Sequence, residues 1–168
     1  FCGTVNDLSV MGAKPLGISL GLIIEEGFSK DDLLTIIKTI GELSKVTGIP
    51  VVTGDTKVME KGSVDKIIIN TSGVGMADFI LDKPLRAGDK IIVSGGVGEH
   101  GTALLAKRFE LETSIETDSR PLWEEINTIK NLIKQAKDIT RGGLAAVLNE
   151  IAEKEKMQFI IYEEQVPL

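Results

Sequence analysis

The sequence predicts an α/β fold, and three observations predict it. Two short apolar runs, Leu16–Ile24 and Ile49–Thr53, flank one well-marked amphipathic helix. Strand, helix and strand in that order imply a right-handed crossover and locally parallel pairing. A charged segment holding Pro and Gly, Asp82–Asp89, then separates this part from a second set of strand and helix signals. The expected domains are residues 1–85, an α/β unit, and residues 86–168, an α+β unit.

Each element has its own signal. Asn6–Ala13 reads as a short helix with Leu8 and Met11 on one side, stopped by Pro15. Leu16–Ile24 reads as a buried strand. Ser29 opens the next helix as its cap, and Asp31 and Asp32 favour the first turn. Leu33, Ile36, Ile37, Ile40 and Leu43 form its apolar stripe, and Gly48 and Pro50 end it. Ile49–Thr53 is the second strand and Lys66–Thr71 the third, with a turn over Glu60–Ser63 between them. Past the boundary, Lys90–Ser94 reads as a strand and Gly101–Arg108 as a helix. Pro121–Ala136 reads as a helix carrying Leu122, Ile126, Ile129 and Ile133 on one face. Leu144–Glu155 is a further helix and Gln158–Tyr162 a last strand.

Bulk properties narrow the function. At 168 residues the chain can bury about 68–70% of its unfolded surface. A formal charge of −6 argues against nonspecific binding to nucleic acid or to an anionic membrane. It leaves room for a phosphate ligand, because backbone N–H groups and Mg²⁺ supply positive field locally. The single cysteine, Cys2, allows no intrachain disulfide, which fits a reducing, cytoplasmic setting. The apolar run Leu16–Ile24 is broken by Gly17, Ser19 and Gly21 and is too short to span a bilayer. The chain opens on Phe1 and a motif, and is expected to be an internal piece of a longer protein.

Two acidic motifs carry the chemistry. One is Cys2-Gly3-Thr4-Val5-Asn6-Asp7-Leu8, the other Thr53-Gly54-Asp55-Thr56-Lys57-Val58. Mg²⁺ favours one or two carboxylates plus substrate phosphate oxygens. Asp7 and Asp55 brought together would hold such an ion, and ligands of open α/β sheets sit at strand C-terminal ends. Taken singly, Asp7 also suits a helix cap, and Asp55 a turn at a strand end. Lys57 is a solvated loop lysine, a phosphate clamp or a general base.

Three further signals are ambiguous. Gly96-Val97-Gly98-Glu99-His100-Gly101 matches a dinucleotide fingerprint, and Glu116 falls at the spacing of its acidic residue. The polar, Thr-rich segment Glu110–Ser119 gives no helix-then-strand reading, so that fold is rejected. His100, the only histidine, is either a hydrogen-bonded structural residue or a chemical group. Asp138-Ile139-Thr140-Arg141-Gly142-Gly143-Leu144 opens a helix: Thr140 suits a cap, and Arg141 with the free N–H groups suits an anion. Cys2 reads as a buried structural thiol.

Taken in order, these motifs, with Met11-Gly12-Ala13, Glu25-Glu26-Gly27 and Asn70-Thr71, closely resemble one family along the whole chain. It is the family of carbamoyl dehydratases of hydrogenase maturation, in the aminoimidazole ribonucleotide synthetase-like (PurM-like) ATP-binding superfamily. The resemblance implies an N-terminal α/β domain that dimerises through its sheet, the first part of a C-terminal α+β domain, and ATP with Mg²⁺ in a cleft between them. It implies ATP-dependent conversion of a carbamoyl group on a C-terminal cysteine to a thiocyanate, the source of cyanide for nickel–iron hydrogenase. Expected partners are a second copy, a carbamoyltransferase maturation protein and the proteins that scaffold the iron centre. By resemblance, Asp7 and Asp55 are the Mg–ATP carboxylates. Asn6, Gly54, Thr56, Arg141, Gly142 and Gly143 position phosphate or substrate, and Lys57 lies near the reacting thiol. His100 is the second candidate catalytic group.

The family's first acidic segment lies upstream of Phe1, and its terminal cysteine and a downstream glutamate lie beyond Leu168. The chain alone is therefore expected not to turn over. It also carries Glu99 and Gly96 where the family usually has Asp and Thr. The alternatives are another synthetase of the superfamily, such as selenophosphate synthetase, and a non-catalytic dimerising scaffold.

Overall fold

A computed structural model describes residues 1–167. The elements in order are α1 (Cys2–Val10), β1 (Lys14–Glu25), α2 (Lys30–Thr47), β2 (Val51–Met59), β3 (Ile67–Met76), α3 (Glu99–Arg108), α4 (Trp123–Ile129), α5 (Gly143–Glu155) and a 3₁₀ turn (Glu163–Gln165). The three strands form one mixed sheet in the order β2-β1-β3, with β1 parallel to β2 and antiparallel to β3.

Helix α1 starts four residues ahead of the expected Asn6, since the Phe1 carbonyl already accepts from Val5 N–H. Gly12, rather than Pro15, ends it. At φ +82° it turns the chain so that its own N–H reaches Ser9 O and that of Ala13 reaches Leu8 O. Helix α2 keeps its expected ends: Ser29 Oγ accepts from Asp32 N–H at 3.3 Å, and Gly48 closes it in the left-handed region.

Strand β2 extends well past the expected Thr53. β1 runs on to Glu25 and pairs residue by residue with β2 up to Met59, so the polar motif 53–58 continues the ladder. Pairing overrides local polarity here. β3 likewise runs on to Met76 against the start of β1.

The two faces of the sheet differ. Val5 and Ile18 are fully buried and share a core with Ile49 and Trp123. A second cluster joins Val10, Leu81 and Ile126. Along β3, Thr71, Gly73 and Gly75 are half-covered under α1, while Ile68, Asn70, Ser72, Val74 and Met76 are exposed on the opposite side. The bare face presents Val74 at 67% and Met76 at 66% exposure, and Val52 of β2 stands 65% exposed. That is a large apolar surface for a soluble sheet to leave uncovered.

Three expectations are corrected beyond the sheet. Lys90–Ser94 and Gln158–Tyr162 do not form strands: among the described residues no ladder pairs them, and Ile91, Ile92, Ile160 and Ile161 stand exposed. The helix expected over Pro121–Ala136 is only the seven residues of α4. A turn follows, and Gln135 then bridges to Asp82, pulling that segment onto the linker. Glu155 of α5 fastens the same linker, accepting from Leu85 N–H at 3.2 Å and from Gln135 Nε2 at 2.7 Å.

Gly54 shows why the second motif tolerates no side chain at its centre. A Cβ there would lie 2.7 Å from the Leu20 carbonyl oxygen of the neighbouring strand. Gly54→Ala is expected to cost about 1–3 kcal/mol of stability by forcing β2 from β1. Urea unfolding checks this, and an unchanged midpoint would contradict the close approach.

Candidate functional site

The first motif places Asn6 and Asp7 on the outer turns of α1, with different surroundings. Asn6 is engaged at both ends of its amide. Its Nδ2 donates to the Arg120 carbonyl at 3.0 Å, and its Oδ1 accepts from Leu122 N–H at 2.8 Å. Asp7 instead faces a cavity of about 420 Å³ between α1, the 81–82 linker, residues 135–138 and α5. Six charged side chains line it: Asp7, Asp82, Lys137, Asp138, Glu150 and Lys154.

Charge pairing in that cavity is uneven. Lys137 pairs with Glu150, and Lys154 with Asp82. Among the described residues, Asp7 and Asp138 take part in no ion pair. Partial burial, and then the negative charge of Asp138, hold the Asp7 carboxyl above the ordinary aspartate range. A carboxyl whose ionisation is opposed by a neighbouring carboxylate is suited to sharing a cation with it. Asp138 was legible in the sequence only as the start of the Thr140-Arg141-Gly142-Gly143 turn, and its nearness to Asp7 is a long-range fact that no local pattern carries.

The turn after Asp138 leads into α5. Gly142 is the N-cap at φ +82°, and a Cβ there would fall 2.5 Å from Ala146 Cβ, so only glycine fits. Thr140 does not cap with its hydroxyl, as expected from sequence. Its carbonyl accepts from Gly143 N–H at 3.0 Å, and no side chain caps α5. The N–H groups of Leu144 and Ala145 are left without an internal partner, near the exposed Arg141 in sequence.

The second motif lies elsewhere. Asp55, Thr56 and Lys57 are in the edge strand β2, all exposed, and the Asp55 carboxylate accepts from Thr56 N–H at 2.9 Å. Register fixes their direction. Asp55 pairs across Gly21 with Asn70, whereas Thr71, one residue on, contacts α1 through Thr4 Oγ1 at 2.5 Å. Successive side chains of a strand point to opposite faces. Asp55 and Lys57 therefore project from the bare face and Asp7 lies on the covered one. A single chain does not bring Asp7 and Asp55 together, and Asp55 does not line the Asp7 cavity.

His100 sits in the first turn of α3, with Nδ1 at 2.9 Å from Thr117 Oγ1 and 3.5 Å from Ser119 Oγ. It is outside the Asp7 cavity. Cys2 is a free thiol in α1, half-buried. No group of three or more His, Cys, Asp or Glu gathers as a metal cage among the described residues. Mg²⁺ with a nucleotide does not need one, since phosphate oxygens and water complete its octahedron. The Asp7–Asp138 pair fits a magnesium ion, and Arg141 with the N–H groups of Leu144 and Ala145, a few residues on in sequence but outside the cavity lining, offers donors to phosphate.

Comparison with known proteins identifies the family. The AIR synthase related protein N-terminal domain matches residues 1–77, and the C-terminal domain of the same family matches residues 86–168. A putative hydrogenase expression/formation protein of Methanocaldococcus jannaschii is 49% identical over 99% of this chain and 51% of its own length. The carbamoyl dehydratase HypE of Rhizobium leguminosarum bv. viciae is 43% identical over 99% of this chain and 50% of its own. The chain thus spans about half the length of the curated relatives it matches. Among solved structures, a HypE–HypF complex superposes with a TM-score of 0.92 at 44% identity, covering 99% of this chain and 57% of that one. HypE solved in complex with ATP gives 0.85 at 38% identity, covering 92% and 48%. A thiamine monophosphate kinase of Aquifex aeolicus, at 21% identity and TM-score 0.84 over 99% of this chain and 58% of that one, shares the fold. The chain belongs to the AIR synthase related family and is similar, along nearly its whole length, to that family's HypE members.

Proposed function

We propose that this chain forms the central part of an ATP- and Mg²⁺-dependent carbamoyl dehydratase of hydrogenase maturation. The observation that carries the reading is the Asp7–Asp138 pair, two carboxylates that line one cavity and take part in no ion pair among the described residues. Relatives at this identity bear the name carbamoyl dehydratase, and one of them was solved with ATP. In this reading residues 1–85 belong to the dimerising domain and residues 86–168 to the second domain, and the protein works in the cytoplasm.

The residues have separable tasks. Asp7 and Asp138 hold Mg²⁺. Arg141 and the N–H groups of Leu144 and Ala145 take phosphate oxygens, as guanidinium and helix N-termini do. When bound, ATP supplies the phosphoryl group that turns a carbamoyl oxygen, a poor leaving group, into a good one. In this reading Lys57 takes or shares the proton of the reacting thiol, and its charge stabilises the developing anion. His100 has Nδ1 engaged by Thr117, so any proton it handles passes through Nε2.

Asp55 and Lys57 reach this site from a second copy. They project from the bare apolar face, and two such faces packed together bury Val52, Val74 and Met76. In this reading β2, an edge strand, carries Asp55 and Lys57 past the rim of the partner's sheet toward the cleft on its covered side. The carbamoyltransferase is the proposed donor partner, in line with a HypE relative solved in complex with HypF. Proteins that scaffold the iron centre are the proposed acceptors.

Two outcomes test this. Full-length Asp7→Asn and full-length Asp55→Asn proteins are each expected to lose ATP-dependent nitrile formation. Unfolded together and refolded, they should regain about one quarter of the wild-type sites, from mixed dimers with one intact site each. No recovery would contradict the shared site. The second outcome follows from the Asp7 shift. A carboxyl whose pKa is raised on folding favours the folded state as the acid and opposes it once ionised. Its stabilising contribution is thus full below the unfolded-state value and lost as pH rises through the folded one. Asp7→Asn should therefore raise the melting temperature at pH 7, with the gain vanishing below pH ~4. A lower melting temperature at pH 7 would overturn the assignment.

A further inference from the structure

We propose that Asn6 and Arg120 are positioning residues that tie the glycine-rich loop 94–98 to helix α1, and so to Asp7 beside it. The inference rests on the nucleotide reading above but assigns Asn6 a different task from direct contact with phosphate. Both functional ends of the Asn6 amide are spent on backbone: Nδ2 on the Arg120 carbonyl and Oδ1 on Leu122 N–H. These two bonds fix the orientation of the amide, with one N–H and one lone pair remaining. Asn6 thereby pins the chain just ahead of α4, next to the Val5–Trp123 contact of the core.

Arg120 passes the constraint on. Its Nη2 donates to the Ser94 carbonyl at 3.3 Å, while Nη1 is held by Glu125 of α4. Ser94 opens the loop Ser94-Gly95-Gly96-Val97-Gly98, which feeds α3 through Gly98 at φ +96°. Glycines give this loop conformational freedom, and it borders no strand ladder among the described residues. Its described ties are few: the Arg120 bond to Ser94, and Val97 N–H to Pro167 O at 2.8 Å. The route from Asp7's helix to the loop is therefore Asn6, Arg120, Ser94, each link a hydrogen bond.

The guanidinium is suited to this. Its planar fork serves Glu125 and Ser94 at once, whereas a lysine ammonium at the end of its stem satisfies one partner at a time. Glu99 lies against the loop: a Cβ on Gly96 would meet its Oε1 at 2.6 Å and turn that flexible carboxylate aside.

Amide hydrogen exchange on the full-length protein tests the tie, with Arg120→Ala and Arg120→Lys as variants. Arg120 is half-exposed, so its removal leaves the cores intact. Loss of one net hydrogen bond should speed exchange at Val97, the hydrogen-bonded amide of the loop among the described residues, about two- to tenfold in Arg120→Ala. Arg120→Lys should fall between that and wild type, and exchange across β1 should not change. Unchanged exchange in the loop of Arg120→Ala would overturn the proposal. Calorimetry with Mg²⁺ and a non-hydrolysable ATP analogue separates this from the reading it rests on. Wild-type protein that fails to bind the analogue refutes the nucleotide site, while the exchange result decides the tie. With binding intact, Arg120→Ala should weaken it severalfold without changing the response of Asp7 to Mg²⁺ alone.

Discussion

The structure depends on the close seating of α1 against the sheet. β3 makes room for it with glycines at 73 and 75, where a Cβ would meet Leu8, Thr4 or Ala13 at about 3 Å. Because no side chain intervenes, Val5 reaches Ile18 and both are fully buried. Trp123 closes the same core from beyond the linker, so α4 is held by the first domain's helix. The seating also sets the direction of Asp7, which points outward to Asp138 and α5 and away from the sheet. One packing constraint thus fixes the core, the angle at which the second half meets the first, and the location of the carboxylate pair.

The same constraint divides the site. With α1 on one face, the Asp55 motif is committed to the other by strand alternation, and no rotation of side chains reverses that. A magnesium–triphosphate group that uses both motifs requires two chains. In the proposed dimer the bare face of the sheet, with its exposed valines and methionine, would be covered and the second motif supplied by the partner. Stability and function would then share an interface.

Much of the first half was legible in the sequence because its signals are local. Ser29, Asp31, Asp32 and Gly48 mark the ends of α2 by capping chemistry, and the apolar runs mark β1 and the start of β2. The extension of β2 through Asp55 and Lys57 was not legible, since polar residues join a strand only when a long neighbour offers pairing. The segments Lys90–Ser94 and Gln158–Tyr162 show the converse: β-rich composition without a neighbour yields no strand. At the site, the Arg141-Gly142-Gly143 turn was recognisable from its glycines, but Gly142 took the cap position expected of Thr140. The approach of Asp138 to Asp7, and the orientation of Asn6 by residues 120 and 122, join positions more than a hundred residues apart in sequence, and no periodicity records that.

The central claim is that two copies build each nucleotide site. A crystal structure of the full-length protein with Mg²⁺ and a non-hydrolysable ATP analogue tests it most directly. The account predicts phosphates and metal contacted by Asp7 and Asp138 of one chain and by Asp55 of the other. A metal held by Asp7 and Asp55 of the same chain, or a nucleotide bound away from Asp7 altogether, would contradict it.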